Sequence, residues 1–166
     1  NKGNPEGHKR HFASIADAVD VPCILYNVPG RTGINLIAET VTWLDHNYRN
    51  IVGLKEAVGI SDEKGREQVA EIIGARTPGF EVWSGNDEDT LPMMKMGAYG
   101  VVSVASHVVG STIKRMMEYY ASGDEQNAQE LHDYLTPLFK ALFPPQPESP
   151  SPAPIKAMLN MTGIDV

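Results

Sequence analysis

Short apolar runs alternate with amphipathic stretches along the first 107 residues of the chain. The runs are rich in Val, Ile and Leu, and their apolar residues do not alternate with polar ones. That pattern is typical of strands buried on both faces of a parallel sheet. We therefore predict four parallel strands, at Val21–Val28, Asn50–Ala57, Phe80–Gly85 and Gly100–Ser106.

The segments between these runs carry apolar residues at helical spacing. The predicted helices are Pro5–Val19, Leu36–His46, Asp62–Arg76 and Asp87–Met96. Helix and strand thus alternate four times. Repeating βα units predict an α/β fold, either a doubly wound sheet or a (β/α)₈ barrel.

Only helical patterns follow the fourth strand, so we divide the chain after residue 107. Residues 1–107 are expected to hold the four βα units, and residues 108–166 the C-terminal helices. Within the second part, Pro137 is expected to kink a helix. Residues 144–154 contain six of the 12 prolines and are expected to form an extended connector.

Lys55 is a charged residue inside an apolar run, where a charge is unusual. Burial lowers the pKa of a lysine and supplies a neutral amine that can form a Schiff base. The alternative is a lysine whose ammonium group reaches water from the end of a strand. Lys55 follows Tyr26 by 29 residues and precedes Gly85 by 30, the length of one strand and one crossover helix. These residues, with Ser103, would share the strand-end rim where such folds bind substrates, which favours a site.

The segment Tyr26–Gly33 closes the first predicted strand with a phenol, a Pro-Gly turn and the guanidinium of Arg31. A tyrosine relays protons when it is held close to the reacting group. Arginine suits bidentate recognition of a carboxylate. An ordinary βα loop with a solvated arginine is the alternative interpretation of these residues.

The formal net charge of −7 argues against non-specific nucleic-acid binding. No apolar run approaches the ~18 residues of a membrane span, and no signal peptide opens the chain. The single cysteine, Cys23, indicates a reducing cytoplasm. The acidic residues 87–89 fit the start of a helix better than a metal site. No glycine-rich phosphate motif is present. We expect neither a metal nor another cofactor.

Four segments together resemble the successive motifs of the dihydrodipicolinate synthase (4-hydroxy-tetrahydrodipicolinate synthase) family. They are Tyr26–Gly33, Gly53–Ala57, Ser84–Asp87 and Gly100–Val104. That family belongs to the class I pyruvate-dependent aldolase superfamily. The resemblance covers essentially the whole chain and implies the C-terminal half of a (β/α)₈ TIM barrel, followed by a small helical region.

The resemblance also implies a role for each matching residue. Lys55 corresponds to the lysine that forms an imine with the keto carbon of pyruvate, and Tyr26 to the tyrosine that shuttles protons. Arg31 corresponds to the arginine that binds the carboxylate of aspartate semialdehyde. Val102 occupies the position whose backbone contacts pyruvate, and Gly85 lies in the motif that lines the pocket.

The chain has 166 residues, whereas a (β/α)₈ barrel needs ~250. The family's first four βα units have no counterpart here. They carry a threonine pair, a second tyrosine and most of the residues that bind lysine as an inhibitor. We expect a fragment or half-barrel remnant that is inactive alone. The family implies a cytoplasmic homo-oligomer, a dimer or tetramer, without nucleic-acid or membrane partners.

The resemblance implies condensation of pyruvate with L-aspartate semialdehyde through a lysine Schiff base, in lysine and diaminopimelate biosynthesis. One alternative is a related aldolase, such as N-acetylneuraminate lyase or a keto-deoxy-sugar aldolase. Arg31 and the context Lys55-Glu56-Ala57 favour the synthase. The non-enzymatic alternative is a half-barrel that serves as an assembly or regulatory module.

Overall fold

The computed structural model describes residues 3–144 and 150–166, which belong to two compact units. The first unit ends at Val101 and the second begins at Val102. The predicted division after residue 107 falls inside a helix that begins at Ser106, and it stays a prediction. The middle of the predicted proline-rich connector, residues 145–149, lies outside the described residues.

The first unit contains a four-stranded parallel sheet, as predicted. Its strands lie in the order β1 (Cys23–Asn27), β2 (Ile51–Glu56), β3 (Glu81–Ser84) and β4 (Gly100–Val101). The last strand is shorter than predicted. Ser103 Oγ accepts a hydrogen bond of 2.8 Å from the Ser106 backbone N–H, which gives the chain a local alternative to strand pairing.

The helices of the first unit are α1 (Pro5–Asp17), α2 (Pro29–Thr32), α3 (Ala38–Asn47), α4 (Glu63–Ala75) and α5 (Thr90–Lys95). Side-chain caps begin two of them: Asn4 accepts from Gly7 N, and Asp62 from Gly65 N, each at 2.8 Å. Helix α5 begins later than predicted. The preceding acidic residues form a turn in which Thr90 Oγ1 donates to the Asp87 carbonyl at 2.7 Å.

The helices of the first unit cover one face of the sheet. Leu54 and Val82 on that face are fully buried against residues of α3 and α4, including Leu44 and Val69. The prediction that the strands are buried on both faces is wrong for β1. Ile24 and Tyr26 point away from the helices and are 52% and 44% exposed. Apolar strand residues here belong to two faces, and only one of these faces is covered in β1.

The second unit is helical, as its sequence pattern predicts. It contains α6 (Ser106–Ala121), α7 (Glu125–Leu142) and α8 (Ala153–Met161), and α6 packs against α7 and α8. Helix α7 continues through Pro137, whereas α6 has a non-helical residue at Val109. None of the helices in the described residues is long and apolar enough to cross a membrane.

Candidate active site

Tyr26 and Lys55 meet at the carboxyl ends of β1 and β2. They are register partners in the parallel pairing of these strands, so their side chains leave the same face of the sheet. The Lys55 Nζ lies 4.2 Å from the centroid of the Tyr26 ring. At this distance an aromatic ring attracts a lysine ammonium, and the Tyr26 ring lies beside the nitrogen.

Lys55 also has an aromatic neighbour in β3. Trp83 is its register partner on that side, and the Trp83 ring contacts Tyr99 with 5.7 Å between ring centroids. Gly53 precedes Lys55 by two residues on the same face. A Cβ atom at Gly53 would overlap the Trp83 ring and the Glu81 carbonyl oxygen. The missing side chain at Gly53 therefore lets the Trp83 ring lie across β2 below Lys55.

Gly85 follows β3 and joins it to the end of β2. Its backbone N–H donates to the Glu56 carbonyl at 2.6 Å. A Cβ atom at Gly85 would lie 2.7 Å from the Ala57 Cβ, closer than real side chains pack. Gly85 thus extends the parallel pairing by one residue at the same edge that carries Lys55.

Arg31 and Val102 are the other two residues that the sequence predicts for the site. Arg31 lies exposed in the short helix α2, which ends at Gly33 in the left-handed conformation with φ of 68°. Val102 is the first residue of the second unit, follows β4 directly and is 44% exposed. The structure thus brings Tyr26, Lys55 and Gly85 to one edge of the sheet, and their roles stay predictions.

A buried carboxyl group lies directly behind the Lys55–Tyr26 pair. Glu56 is 1% exposed and faces the helices. Its carboxylate accepts hydrogen bonds from Asn27 Nδ2 at 2.9 and 3.1 Å, from Val58 N at 2.7 Å and from Gln68 Nε2 at 3.1 Å. All three partners are uncharged N–H donors, so these hydrogen bonds favour the ionised form of the carboxyl group.

This hydrogen-bond network reaches the segment that precedes α3. Asn27 Oδ1 accepts from Leu36 N at 2.9 Å, and Asn27 Nδ2 donates to Asn35 Oδ1 at 2.7 Å. Gln68 on α4 donates to the Leu36 carbonyl at 3.1 Å. The hydrogen bonds of Glu56 and Asn27 therefore connect β1 and β2 to α4 and to the segment before α3.

Burial raises the pKa of Glu56 from its ordinary 4.5 to about 7, although its hydrogen bonds act in the opposite direction. The folded protein therefore binds this proton more tightly than the unfolded chain does. The contribution of Glu56 to stability is greatest below about pH 4.5 and is lost as the pH rises to about 7. The side chains that face it, Asn27, Asn35 and Gln68, do not ionise.

A stability measurement with Glu56→Gln tests this titration. Between pH 5 and pH 8, the free energy of unfolding of the wild type should fall by roughly 2 to 3 kcal/mol relative to the variant. The fall follows from ionisation of a group that cannot ionise in the variant. Urea unfolding at several pH values, followed by circular dichroism, measures both curves. Parallel curves over this range would contradict the raised pKa.

The sequence analysis missed Glu56 and Asn27 as members of the site. Glu56 enters the sequence analysis only as the context of Lys55, and Asn27 only as part of the segment Tyr26–Gly33. A sequence signal for them was available. In a strand, consecutive side chains point to opposite faces, so the residues that follow Tyr26 and Lys55 point to the face that the helices cover. A polar residue at a core position needs partners.

The described part of the chain does not contain a cluster of side chains that could bind a metal ion. Across residues 3–144 and 150–166, no group of three His, Cys, Asp or Glu side chains is arranged to hold an ion. Lys55, with Tyr26 beside it, is the reactive group that the geometry offers. A lysine amine is suited to attack on a carbonyl carbon.

Comparison with known proteins places this geometry in a family. The model of the dihydrodipicolinate synthetase family matches residues 1–166. A 4-hydroxy-tetrahydrodipicolinate synthase of Dehalococcoides mccartyi is 50% identical over 100% of this chain and 52% of its own length. One of Thermosynechococcus vestitus is 47% identical, with 100% and 53% covered. The chain thus spans about half the length of the curated relatives it matches.

Solved structures that match this chain are also dihydrodipicolinate synthases. Dihydrodipicolinate synthase from Thermotoga maritima has a TM-score of 0.92 and 35% identity, with 100% of this chain and 54% of that chain covered. The enzyme from Cyanidioschyzon merolae has a TM-score of 0.92 and 44% identity, with 100% and 53% covered. These matches confirm the predicted α/β fold, part of a TIM barrel followed by helices. The chain belongs to the dihydrodipicolinate synthetase family.

Proposed function

We propose that this chain supplies the imine-forming lysine of a lyase that condenses pyruvate with L-aspartate semialdehyde to 4-hydroxy-tetrahydrodipicolinate. The observation that carries the proposal is the placement of Lys55 Nζ 4.2 Å from the centre of the Tyr26 ring, at the carboxyl edge of the sheet. A nucleophile with a proton-transferring group beside it is what Schiff-base chemistry requires.

The neutral amine form of a lysine is the nucleophile in this chemistry, and Lys55 supplies it. Its nitrogen bonds to the keto carbon of pyruvate, and water leaves as the imine forms. The protonated imine withdraws electrons, so a methyl proton departs and an enamine results. The enamine carbon then bonds to the aldehyde carbon of the second substrate, and the aldehyde oxygen takes up a proton. The amino nitrogen of that substrate bonds to the former keto carbon, which closes the ring and releases Lys55 as the amine. Tyr26 relays protons in the imine-forming steps.

Arg31, Gly85 and Val102 complete the proposed assignment. The guanidinium of Arg31 is exposed in α2, directly after the strand that carries Tyr26. A carboxylate is its natural ligand, and aspartate semialdehyde carries one. We assign the backbone at Val102 to pyruvate contact and Gly85 to the lining of the pocket.

Relatives of the chain support pyruvate as the first substrate. The dihydrodipicolinate synthase from Acinetobacter baumannii, 34% identical over 100% of this chain, was solved in complex with pyruvate. Homo-oligomer formation and a cytoplasmic location belong to the same proposal. The free thiol of Cys23 is compatible with a reducing compartment.

A substrate panel tests the proposal. The protein assayed is a chimaera that joins residues 1–166 to the part of the Dehalococcoides mccartyi relative that the match leaves uncovered, with pyruvate held constant. L-Aspartate semialdehyde should be turned over at least about ten times more efficiently than N-acetylmannosamine or a sugar aldehyde, because only the former presents a carboxylate to Arg31.

Residues 1–166 alone provide the second arm of this assay. Condensation by the chain alone should be far slower than by the chimaera, because Tyr26 is 44% exposed to water. Preference for a sugar aldehyde would indicate the related aldolases instead. A chimaera that folds but does not turn over any aldehyde with pyruvate would favour the non-catalytic assembly module.

A further inference from the structure

At two consecutive positions, a residue of β1 is the register partner of a residue of β2. Tyr26 is paired with Lys55, and Asn27 with Glu56. Consecutive strand residues point to opposite faces, so the first pair lies on the open face and the second on the face that the helices cover. The backbone that carries one pair therefore also carries the other.

The second pair is held by a short, double contact. Asn27 Nδ2 lies 2.9 and 3.1 Å from the two carboxylate oxygens of Glu56, and both residues are 1% exposed. Immediately beyond this contact, the Ala57 N–H donates to the Asn27 carbonyl at 2.9 Å. Both residues are buried, so water does not compete for this hydrogen bond, and the contact fixes the ends of β1 and β2 together.

Helix α4 restrains the same carboxylate from a third direction. Gln68 Nε2 donates to Glu56 Oε2 at 3.1 Å, and Val58 N donates to Oε1 at 2.7 Å. Each oxygen thus has a donor besides Asn27. The carboxylate cannot move toward or away from β1 without lengthening one of these bonds.

We propose that Glu56 and Asn27 are positioning residues, whose hydrogen bond on the covered face of the sheet holds Lys55 against Tyr26 on the open face. Both residues are buried on the covered face, so neither is placed to touch a substrate bound at Lys55. The inference rests on the proposed function, because it assigns a purpose to the Lys55–Tyr26 pair. It predicts that the geometry of this pair depends on complementary partners at positions 27 and 56.

The distance between Lys55 and the Tyr26 ring can be followed by NMR in the full chain of 166 residues. In protein labelled with ¹³C at the lysine ε-carbon, the ring current of Tyr26 should shift the Lys55 ε-protons upfield. Lys55→Arg identifies this resonance, and Tyr26→Leu should remove the part of its shift that the Tyr26 ring causes. Lys9 provides an internal reference, since its Nζ lies 5.7 Å from the Trp43 ring centroid in the same unit.

Three variants test the proposal. At pH 8, above the pKa of about 7 for Glu56, Asn27→Asp sets a second carboxylate against Glu56, and the upfield shift of Lys55 should be lost while that of Lys9 is unchanged. Glu56→Gln replaces an acceptor with an amide and should lose part of the shift. The double variant restores a donor opposite an acceptor with the two roles exchanged, and the shift should return.

Asn127→Asp is the matched control. Asn127 Nδ2 also donates to a carboxylate oxygen, Asp124 Oδ2, at 2.6 Å, but the residue is exposed and lies in the second unit. This change should leave the Lys55 resonance in place. If Asn27→Asp does not fold, the Lys55 shift is compared between Glu56→Gln and the double variant instead.

An unchanged Lys55 shift in a folded Asn27→Asp or Glu56→Gln protein would overturn the proposal. A double variant that folds without recovering the shift would overturn it too, because a general structural role would not depend on complementary partners. The measurement uses no pyruvate. Its result is therefore independent of whether Lys55 forms an adduct, and failure of the proposed function can be told apart from failure of this inference.

Discussion

Replacing Lys55 by arginine is expected to reduce condensation activity of the chimaera by at least about a thousand-fold. Arginine keeps a positive charge beside the Tyr26 ring, but its guanidinium does not form an imine with a ketone at neutral pH. The loss would therefore be one of nucleophilic chemistry and not of charge. Steady-state condensation rates at saturating pyruvate measure it.

Lys64→Arg is the matched control for this experiment. Lys64 is exposed near the start of α4, and the change is chemically the same. We expect wild-type activity within a factor of about two, because a surface substitution alters stability by only a few tenths of a kcal/mol. Activity that survives Lys55→Arg would exclude Lys55 as the imine-forming residue.

Replacing Gly65 by alanine is expected to lower the free energy of unfolding by about 3 kcal/mol. Gly65 lies in the first turn of α4, where its N–H donates to the cap residue Asp62 at 2.8 Å. A Cβ atom there would overlap the Gly59 carbonyl oxygen, which belongs to backbone and cannot rotate away. Helix α4 would have to move, and it carries Gln68 and the buried Val69.

Gly74→Ala in the same helix should have the opposite effect. A Cβ atom at Gly74 would meet no atom within 4 Å, so only helix propensity changes. We expect a gain of about 0.5 to 1 kcal/mol. Urea unfolding of both variants gives the comparison. Equal effects of the two substitutions would show that the approach of α4 to Gly59 is not as close as the structure has it.

The main elements of the fold follow from the sequence because apolar periodicity reports burial directly. Valine- and isoleucine-rich runs mark β1 to β3, and the helices predicted to begin at Pro5 and Asp62 begin at Pro5 and Glu63. The regular interval between Tyr26 and Lys55 likewise predicts that they share an edge. In a parallel sheet, one crossover and one strand return the chain to the same edge of the sheet.

Other features depend on tertiary contacts that the pattern does not contain. Uninterrupted apolar character cannot show which face of β1 is covered, so the exposure of Ile24 and Tyr26 was not predicted. The early end of β4 depends on the Ser103–Ser106 hydrogen bond. The cluster around Glu56 brings together Asn27 and Gln68, which only the packed structure makes neighbours.

The site of covalent attachment of pyruvate tests the account most directly. The chimaera is incubated with pyruvate, reduced with borohydride, digested and analysed by mass spectrometry. The account predicts that the mass of one reduced pyruvate is found on the peptide that contains Lys55, and that Lys55→Arg removes it while Lys64→Arg does not. An adduct on another lysine, or an adduct spread evenly over surface lysines, would contradict the account.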